Sequence, residues 1–249
     1  MTIQGVQGFE TIFFDLDGTL WDNVECSRRI LDVVMPQILE HVPEKDPEKI
    51  ITAFNAVFIE MVKDYGIYSR RCLSKVERLD RLLRYYKVEN PALSQQLGNK
   101  YGSVRRMYMR NFLAEDANSV LSELRTRGFG LGIITNGVPA IQRQTIEGLG
   151  LAPFFDHVII SGLVGYQKPD RRIFQKAMEA ASASPENTLY LGDSPAIDVG
   201  GAKKAGIKSV WLANPRHVLK SYMPQPDYVV QKLSEILAIV GREPAGTRR

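Results

Sequence analysis

Thr11-Ile12-Phe13-Phe14-Asp15-Leu16-Asp17-Gly18-Thr19 sets two carboxylates directly after a short apolar run. Ile and Phe in unbroken succession suit a strand covered on both faces, as in a parallel sheet flanked by helices. Asp15 and Asp17 then stand at the C-terminal edge of that strand. A charge at a buried edge is strongly disfavoured unless a cation or hydrogen-bond donors compensate it, so the pair reads as part of a site. Taken alone it reads equally well as a turn, because Asp-Gly is a common turn dipeptide.

Downstream the same grammar repeats. Short apolar runs at Leu131–Ile134, Val158–Ile160, Leu189–Leu191, Val210–Leu212 and Tyr228–Val230 alternate with helical patterns. A helix over Ser119–Arg127 buries Val120, Leu121 and Leu124 and stops at Gly128, which suits a left-handed cap. Another is expected to begin near Pro169, since proline at the first helical position sacrifices no hydrogen bond, with Ile173, Phe174, Ala177, Met178 and Ala181 on one face. A third runs from Pro195 to Gly206. This alternation predicts an α/β fold, a Rossmann-like parallel sheet with helices on both faces.

Between Asp22 and Asn111 the strand pattern disappears. Ile30, Leu31, Val34 and Ile38; Ile50, Phe54, Val57, Phe58 and Met61; Leu79, Leu82, Leu83 and Tyr86; and Leu97, Tyr101, Val104 and Tyr108 recur at helical spacing. The first strand precedes this stretch and the others follow it. The chain is therefore expected to fold as an α/β catalytic core, residues 1–21 and 112–249, interrupted by an all-helical cap domain, residues 22–111.

Composition narrows the function classes. With 249 residues, 44% of them hydrophobic and 24% charged, the chain can bury a sizeable core. No apolar stretch approaches the roughly 20 residues that span a bilayer, so no membrane partner is expected. Met1–Gly8 lacks a basic region followed by an apolar one, which predicts a cytoplasmic location. The net charge is +4, but Lys and Arg are spread along the chain, so no nucleic-acid partner is expected, and Arg242–Arg249 reads as a frayed tail. Cys26 and Cys72 form no CxxC and read as packing residues; His41, His157 and His217 lack metal-ligand spacing and read as structural. Gly128-Phe129-Gly130-Leu131-Gly132 precedes its strand, whereas a dinucleotide loop follows one. Arg28, Tyr65, Tyr68, Arg70 and Arg71 read as a solvated face of the inserted helices, whose apolar stripes leave the oligomeric state open.

In an open α/β sheet, ligands bind beyond the carboxyl ends of the strands. The residues found there are Asp15 and Asp17, then Thr135-Asn136-Gly137, then Lys168 ahead of a helix, then Gly192-Asp193-Ser194-Pro195-Ala196-Ile197-Asp198. Carboxylates so gathered repel by about 1 to 4 kcal/mol per close pair, which calls for a cation. Oxygen ligands without His or Cys favour Mg2+. The remaining charge balance fits a dianionic phosphoryl group, for which the Thr135 hydroxyl and helix-start amides are donors.

These four segments, in this order, resemble the haloacid dehalogenase superfamily of phosphohydrolases. The helical insertion is similar to that superfamily's cap of the first type, and residues 137–167 are too few for a large second cap. The resemblance implies a Mg2+-dependent phosphatase acting on a small phosphorylated metabolite through an aspartyl-phosphate. Asp15 would be the nucleophile and Asp17 the general acid and base. Thr135 and Asn136 would bind the phosphoryl oxygens, and Lys168 would neutralise their charge and hold Asp15. Mg2+ would be held by the Asp15 side chain, the Asp17 main-chain carbonyl and Asp193, with Asp198 acting directly, through water or on Lys168. Gly18 and Thr19 would shape the turn that admits substrate. A phosphomutase would use the same nucleophile and acid. Dehalogenase and phosphonate-hydrolase relatives lack the second aspartate, so Asp17 argues against both, and a catalytically silent binding protein would have lost site residues that are all present here.

Overall fold

The structure, a computed structural model, describes residues 8–66 and 69–241. The readings made for the N-terminal residues up to Gln7, for Tyr68 and for the Arg242–Arg249 tail lie outside these residues.

Six apolar runs become strands: β1 (Thr11–Phe14), β2 (Gly130–Thr135), β3 (His157–Ile160), β4 (Thr188–Gly192), β5 (Lys208–Leu212) and β6 (Tyr228–Val230). All pair in parallel, in the order β3-β2-β1-β4-β5-β6. Parity explains why the runs are continuous rather than alternating. Phe13, Ile134 and Tyr190 face one side, packed with Ile173, Phe174, Ala177 and Met178; Ile12, Phe14, Leu131, Ile133, Leu189 and Leu191 face the other and are equally buried. Register also fixes one glycine: a Cβ on Gly132 would lie 2.4 Å from Cε1 of Phe13 on the neighbouring strand.

The helices are α1 (Asn23–His41), α2 (Pro47–Tyr65), α3 (Lys75–Tyr85), α4 (Pro91–Tyr108), α5 (Ala117–Thr126), α6 (Pro139–Leu149), α7 (Ser161–Val164), α8 (Arg171–Ala181), α9 (Gly200–Lys204) and α10 (Ile236–Val240). The helix expected from Pro169 begins two residues later. Asp170 is its N-cap, its carboxylate accepting the Arg172 amide hydrogen at 2.9 Å, so Pro169 lies before the cap rather than at the first helical position. From Pro195 the chain first makes a turn of π-helix, Pro195–Val199, and only then continues as α9.

The chain divides into two compact units, Met1–Asp22 with Leu113–Arg249, and Asn23–Phe112. The first is the α/β unit. The second is helix packed on helix, with starts fixed by side chains: Asp46 accepts from the Glu48 amide, Ser74 from Glu77 and Asn90 from Leu93. Arg78 is buried within it, 3.6 Å above the Phe54 ring, and donates to Phe54 O at 2.9 Å and Asn55 Oδ1 at 3.0 Å. The Tyr65 hydroxyl bridges Arg81 and Glu77, while Arg71 and Arg28 form loose ion pairs with Glu77 and Glu48. Cys26 and Cys72 are buried and form no disulfide. Among the described residues no helix is long and apolar enough to cross a membrane.

Candidate active site

Strand order turns around at β1. The chain proceeds outward from β1 through β2 to β3, then returns to place β4 on the opposite flank of β1. Such a switch point leaves a crevice beyond the carboxyl ends of β1 and its neighbours. Asp15 and Asp17 follow β1, Thr135 ends β2, and Asp193 follows β4.

Lys168 occupies the centre and is almost fully buried. Its Nζ donates to Asp15 Oδ1 at 2.5 Å, Asp198 Oδ1 at 2.7 Å and the Tyr190 hydroxyl at 2.8 Å. All three ammonium hydrogens are thereby used. The main chain that carries Lys168 is anchored by Asn136, whose Oδ1 accepts from Lys168 N at 2.8 Å and whose Nδ2 donates to Lys168 O at 3.0 Å. The Asn136 side chain thus holds the lysine segment.

Burial pushes Asp15 well above the usual carboxylate range; Lys168 opposes the rise, and Asp198 and Asp193 add to it. Burial alone would favour a neutral Lys168, but Asp15 and Asp198 outweigh it and hold the ammonium above its ordinary pKa. One cation therefore faces three buried carboxylates. Asp193 is pushed up to about 6, first by burial and then by Asp198, with His217 and Lys168 opposing. Asp15, Asp193 and Asp198 each offer an oxygen, all within 4.8 Å of one another. This buried, oxygen-only, charge-deficient set fits a small hard cation.

The two later aspartates do different work. Asp198 Oδ1 accepts from Lys168 and from Tyr190 at 2.9 Å, and its Oδ2 accepts the Ser194 amide hydrogen at 2.9 Å. Both oxygens are engaged within the protein, and the carboxylate packs so closely on Gly192 that a Cβ there would lie 2.5 Å from its Cγ. Asp193 is pinned through its main chain instead: its carbonyl accepts from Trp211 Nε1 at 2.8 Å and from His217 Nδ1 at 3.0 Å. A carbonyl can only accept, so the His217 proton sits on Nδ1. Gly18 (φ +87°) faces Asp193, and a Cβ there would lie 2.5 Å from Asp193 Oδ2.

Asp17 is half-buried and lies outside that acidic set. Its Oδ1 accepts from Trp21 Nε1 at 2.9 Å and its Oδ2 from Gln142 Nε2 at 2.8 Å. Gln142 also donates to Thr135 Oγ1 at 2.6 Å. Thr19 Oγ1 lies 3.3 Å from Asp15 Oδ2. The structure thus brings together Asp15, Asp17, Thr135, Asn136, Lys168, Asp193 and Asp198. It adds Trp21, Gln142 and Tyr190, which the sequence reading passed over, and His217, which it took as structural. Two left a trace: a tyrosine inside an apolar strand needs a partner for its hydroxyl, and Gln142 is a polar residue on the buried face of α6.

An acidic cluster at the switch point of a parallel sheet, only partly offset by one buried lysine, is the feature that the α/β unit presents beyond its strand ends. The chain belongs to the haloacid dehalogenase-like hydrolase family, which it matches over residues 9–206. It is 32% identical over 238 residues to the glyceraldehyde 3-phosphate phosphatase of Pyrococcus furiosus, covering 94% of each chain. It is 42% identical over 122 residues to the phosphoserine phosphatase of Thermus thermophilus, a match to 49% of this chain and 48% of that one. Among solved structures it resembles Bacillus subtilis YfnB bound to magnesium, with a TM-score of 0.71 and 26% identity over 94% of this chain and 99% of the other.

Proposed function

We propose that this phosphoric monoester hydrolase is a Mg2+-dependent phosphatase that releases phosphate from a small phosphorylated metabolite through a covalent aspartyl-phosphate on Asp15. The observation that carries the reading is Asp15 itself, a buried carboxylate at the β1 edge held 2.5 Å from the Lys168 ammonium. A carboxylate fixed in this way is oriented for attack and relieved of charge repulsion by its neighbour.

Asp15 attacks phosphorus, the bond to the leaving oxygen breaks, and the departing alkoxide takes a proton from Asp17. Asp17 then removes a proton from water, which attacks the phosphorus of the aspartyl-phosphate, and the carboxylate of Asp15 leaves with its electron pair. Lys168 offsets negative charge on Asp15 and on the phosphoryl oxygens throughout, and the Thr135 hydroxyl and the main chain at Asn136 bind those oxygens. Asp198, with both oxygens engaged, holds Lys168 and Tyr190 in place. Asp15 and Asp193, with the Asp17 carbonyl, would hold Mg2+, which when bound supplies positive charge against the transferring phosphoryl group. The relative bound to magnesium supports this choice of ion. We read the Asn23–Phe112 unit as the cap that sets substrate identity.

The test is a panel of phosphorylated metabolites scored for free phosphate, with Mg2+ and with EDTA, for wild type and Asp15→Asn. Phosphate release by wild type with Mg2+ alone is expected. Activity in chelator would remove the metal from the account, activity of Asp15→Asn would remove the nucleophile, and isomerisation without free phosphate would mark a mutase.

A further inference from the structure

Gln142 takes no part in the steps above, yet its amide sits between two groups that do. It lies near the start of α6, is 5% exposed, and its Nε2 stands 2.6 Å from Thr135 Oγ1, 2.8 Å from Asp17 Oδ2 and 3.3 Å from Asn136 O. We propose that Gln142 is a positioning residue for proton transfer, one amide that locks the general acid Asp17 and the phosphate-binding Thr135 into a single arrangement.

The chemistry of the amide supports this. Nε2 carries two hydrogens, which the two short contacts consume, leaving the third long. The reverse amide orientation would point a carbonyl oxygen at a carboxylate, so the nitrogen faces Asp17. Because Gln142 donates to Thr135 Oγ1, the hydroxyl's own hydrogen is directed away from Gln142, here to Asn136 O at 3.5 Å, a long contact that a phosphoryl oxygen can replace. On Asp17, Gln142 holds Oδ2 while Trp21 Nε1 holds Oδ1, so the plane of the carboxylate is fixed from both sides. Asp17 needs such support because it is half-buried and followed by Gly18 at φ +87°. The fold also makes room for the side chain: a Cβ on Gly137 would lie 2.8 Å from Gln142 Cγ and 2.9 Å from Cδ.

A residue that only fills space would affect all substrates alike. One that aims a proton donor matters most where the leaving group needs the proton. Gln142→Met retains the length and removes the donor; Gln142→Asn stays polar but is too short to span both partners, and serves if the first variant folds poorly. The substrates are an alkyl phosphate turned over by wild type and p-nitrophenyl phosphate, whose leaving group departs with little protonation. For the alkyl ester, kcat is expected to fall about 100-fold, with KM and the Mg2+ requirement changed by less than about 3-fold. For the aryl ester the loss should be under about 10-fold. Equal losses on both esters, or no loss, would overturn the proposal. It rests on Asp17 as the acid, so Asp17→Asn is measured alongside. If that variant shows no leaving-group selectivity, the assignment of Asp17 fails; if it does and the Gln142 variants do not, the role of Gln142 fails.

Discussion

Lys168→Met deletes one charge from the most crowded point of the site while leaving most of its volume filled. The ammonium it removes donates to Asp15, Asp198 and Tyr190 at 2.5, 2.7 and 2.8 Å, at a position only 4% exposed. Tyr190 loses little, because its hydroxyl still donates to Asp198 at 2.9 Å. The two carboxylates lose the one cation that pairs with them among the described residues, and stripping a buried pair of one partner costs about 3 to 5 kcal/mol. In a domain of this size 1 kcal/mol moves the melting midpoint by about 2 to 4 °C, so Lys168→Met in EDTA should melt roughly 6 to 20 °C below wild type at pH 7.5. The deficit should also depend on pH. Lys168 stays charged across the tested range, because Asp15 and Asp198 outweigh the burial that would otherwise lower its pKa. Asp15 already lies well above the usual carboxylate range through burial and its acidic neighbours, and loss of Lys168 raises it further. A carboxyl whose pKa is raised on folding binds its proton more tightly in the folded state than in the unfolded one. The penalty is therefore full above the raised value and shrinks as pH falls towards the unfolded one, about 4. Melting curves at pH 7.5 and pH 5 should show a clearly smaller gap at pH 5. No gap at pH 7.5, or the same gap at both, would refute the reasoning.

Asp193, pushed up to about 6 by burial and Asp198, carries the corresponding expectation for the metal. Its protonation stabilises the metal-free fold below about pH 4, and that stabilisation is lost as pH rises through 6. Added Mg2+ should therefore raise the melting midpoint more at pH 7.5 than at pH 5, and EDTA should abolish activity reversibly; both are read on one preparation. Gly18→Ala would place a methyl 2.5 Å from Asp193 Oδ2 at a left-handed backbone position. A Mg2+ titration of activity should show the midpoint raised about 10- to 100-fold in that variant.

The sheet was legible because continuous apolar runs have few other uses in a chain of this composition. Tyr228–Val230 coincides with β6; Val158–Ile160 and Val210–Leu212 start one and two residues inside their strands, and Leu131–Ile134 and Leu189–Leu191 fall one residue short at each end. The error at Pro169 has a local cause. Asp170 competes for the helix start by capping the Arg172 amide, and an Asp directly after a Pro offers both readings. The acidic and basic residues of the site were visible because charge at a strand end needs explaining. Their partners were not. Gln142 becomes informative only when α6 brings it against Asp17 and Thr135, and His217 only when its loop returns to the Asp193 carbonyl, 24 residues away in sequence. Asp198 shows the same limit: sequence left three roles open, and the geometry that favours Lys168 is a set of contacts from β4, the π-turn and the lysine segment.

The central claim is that Asp15 carries the phosphoryl group. Acid quenching during turnover of a competent substrate with Mg2+, followed by peptide mass mapping, tests it directly. A phosphate adduct is expected on the peptide that bears Asp15, increased in Asp17→Asn when p-nitrophenyl phosphate is the substrate, since its leaving group needs little acid while hydrolysis of the intermediate lacks its base, and missing from Asp15→Asn. Full turnover by Asp15→Asn, or a phosphate adduct on a different residue, would contradict the account.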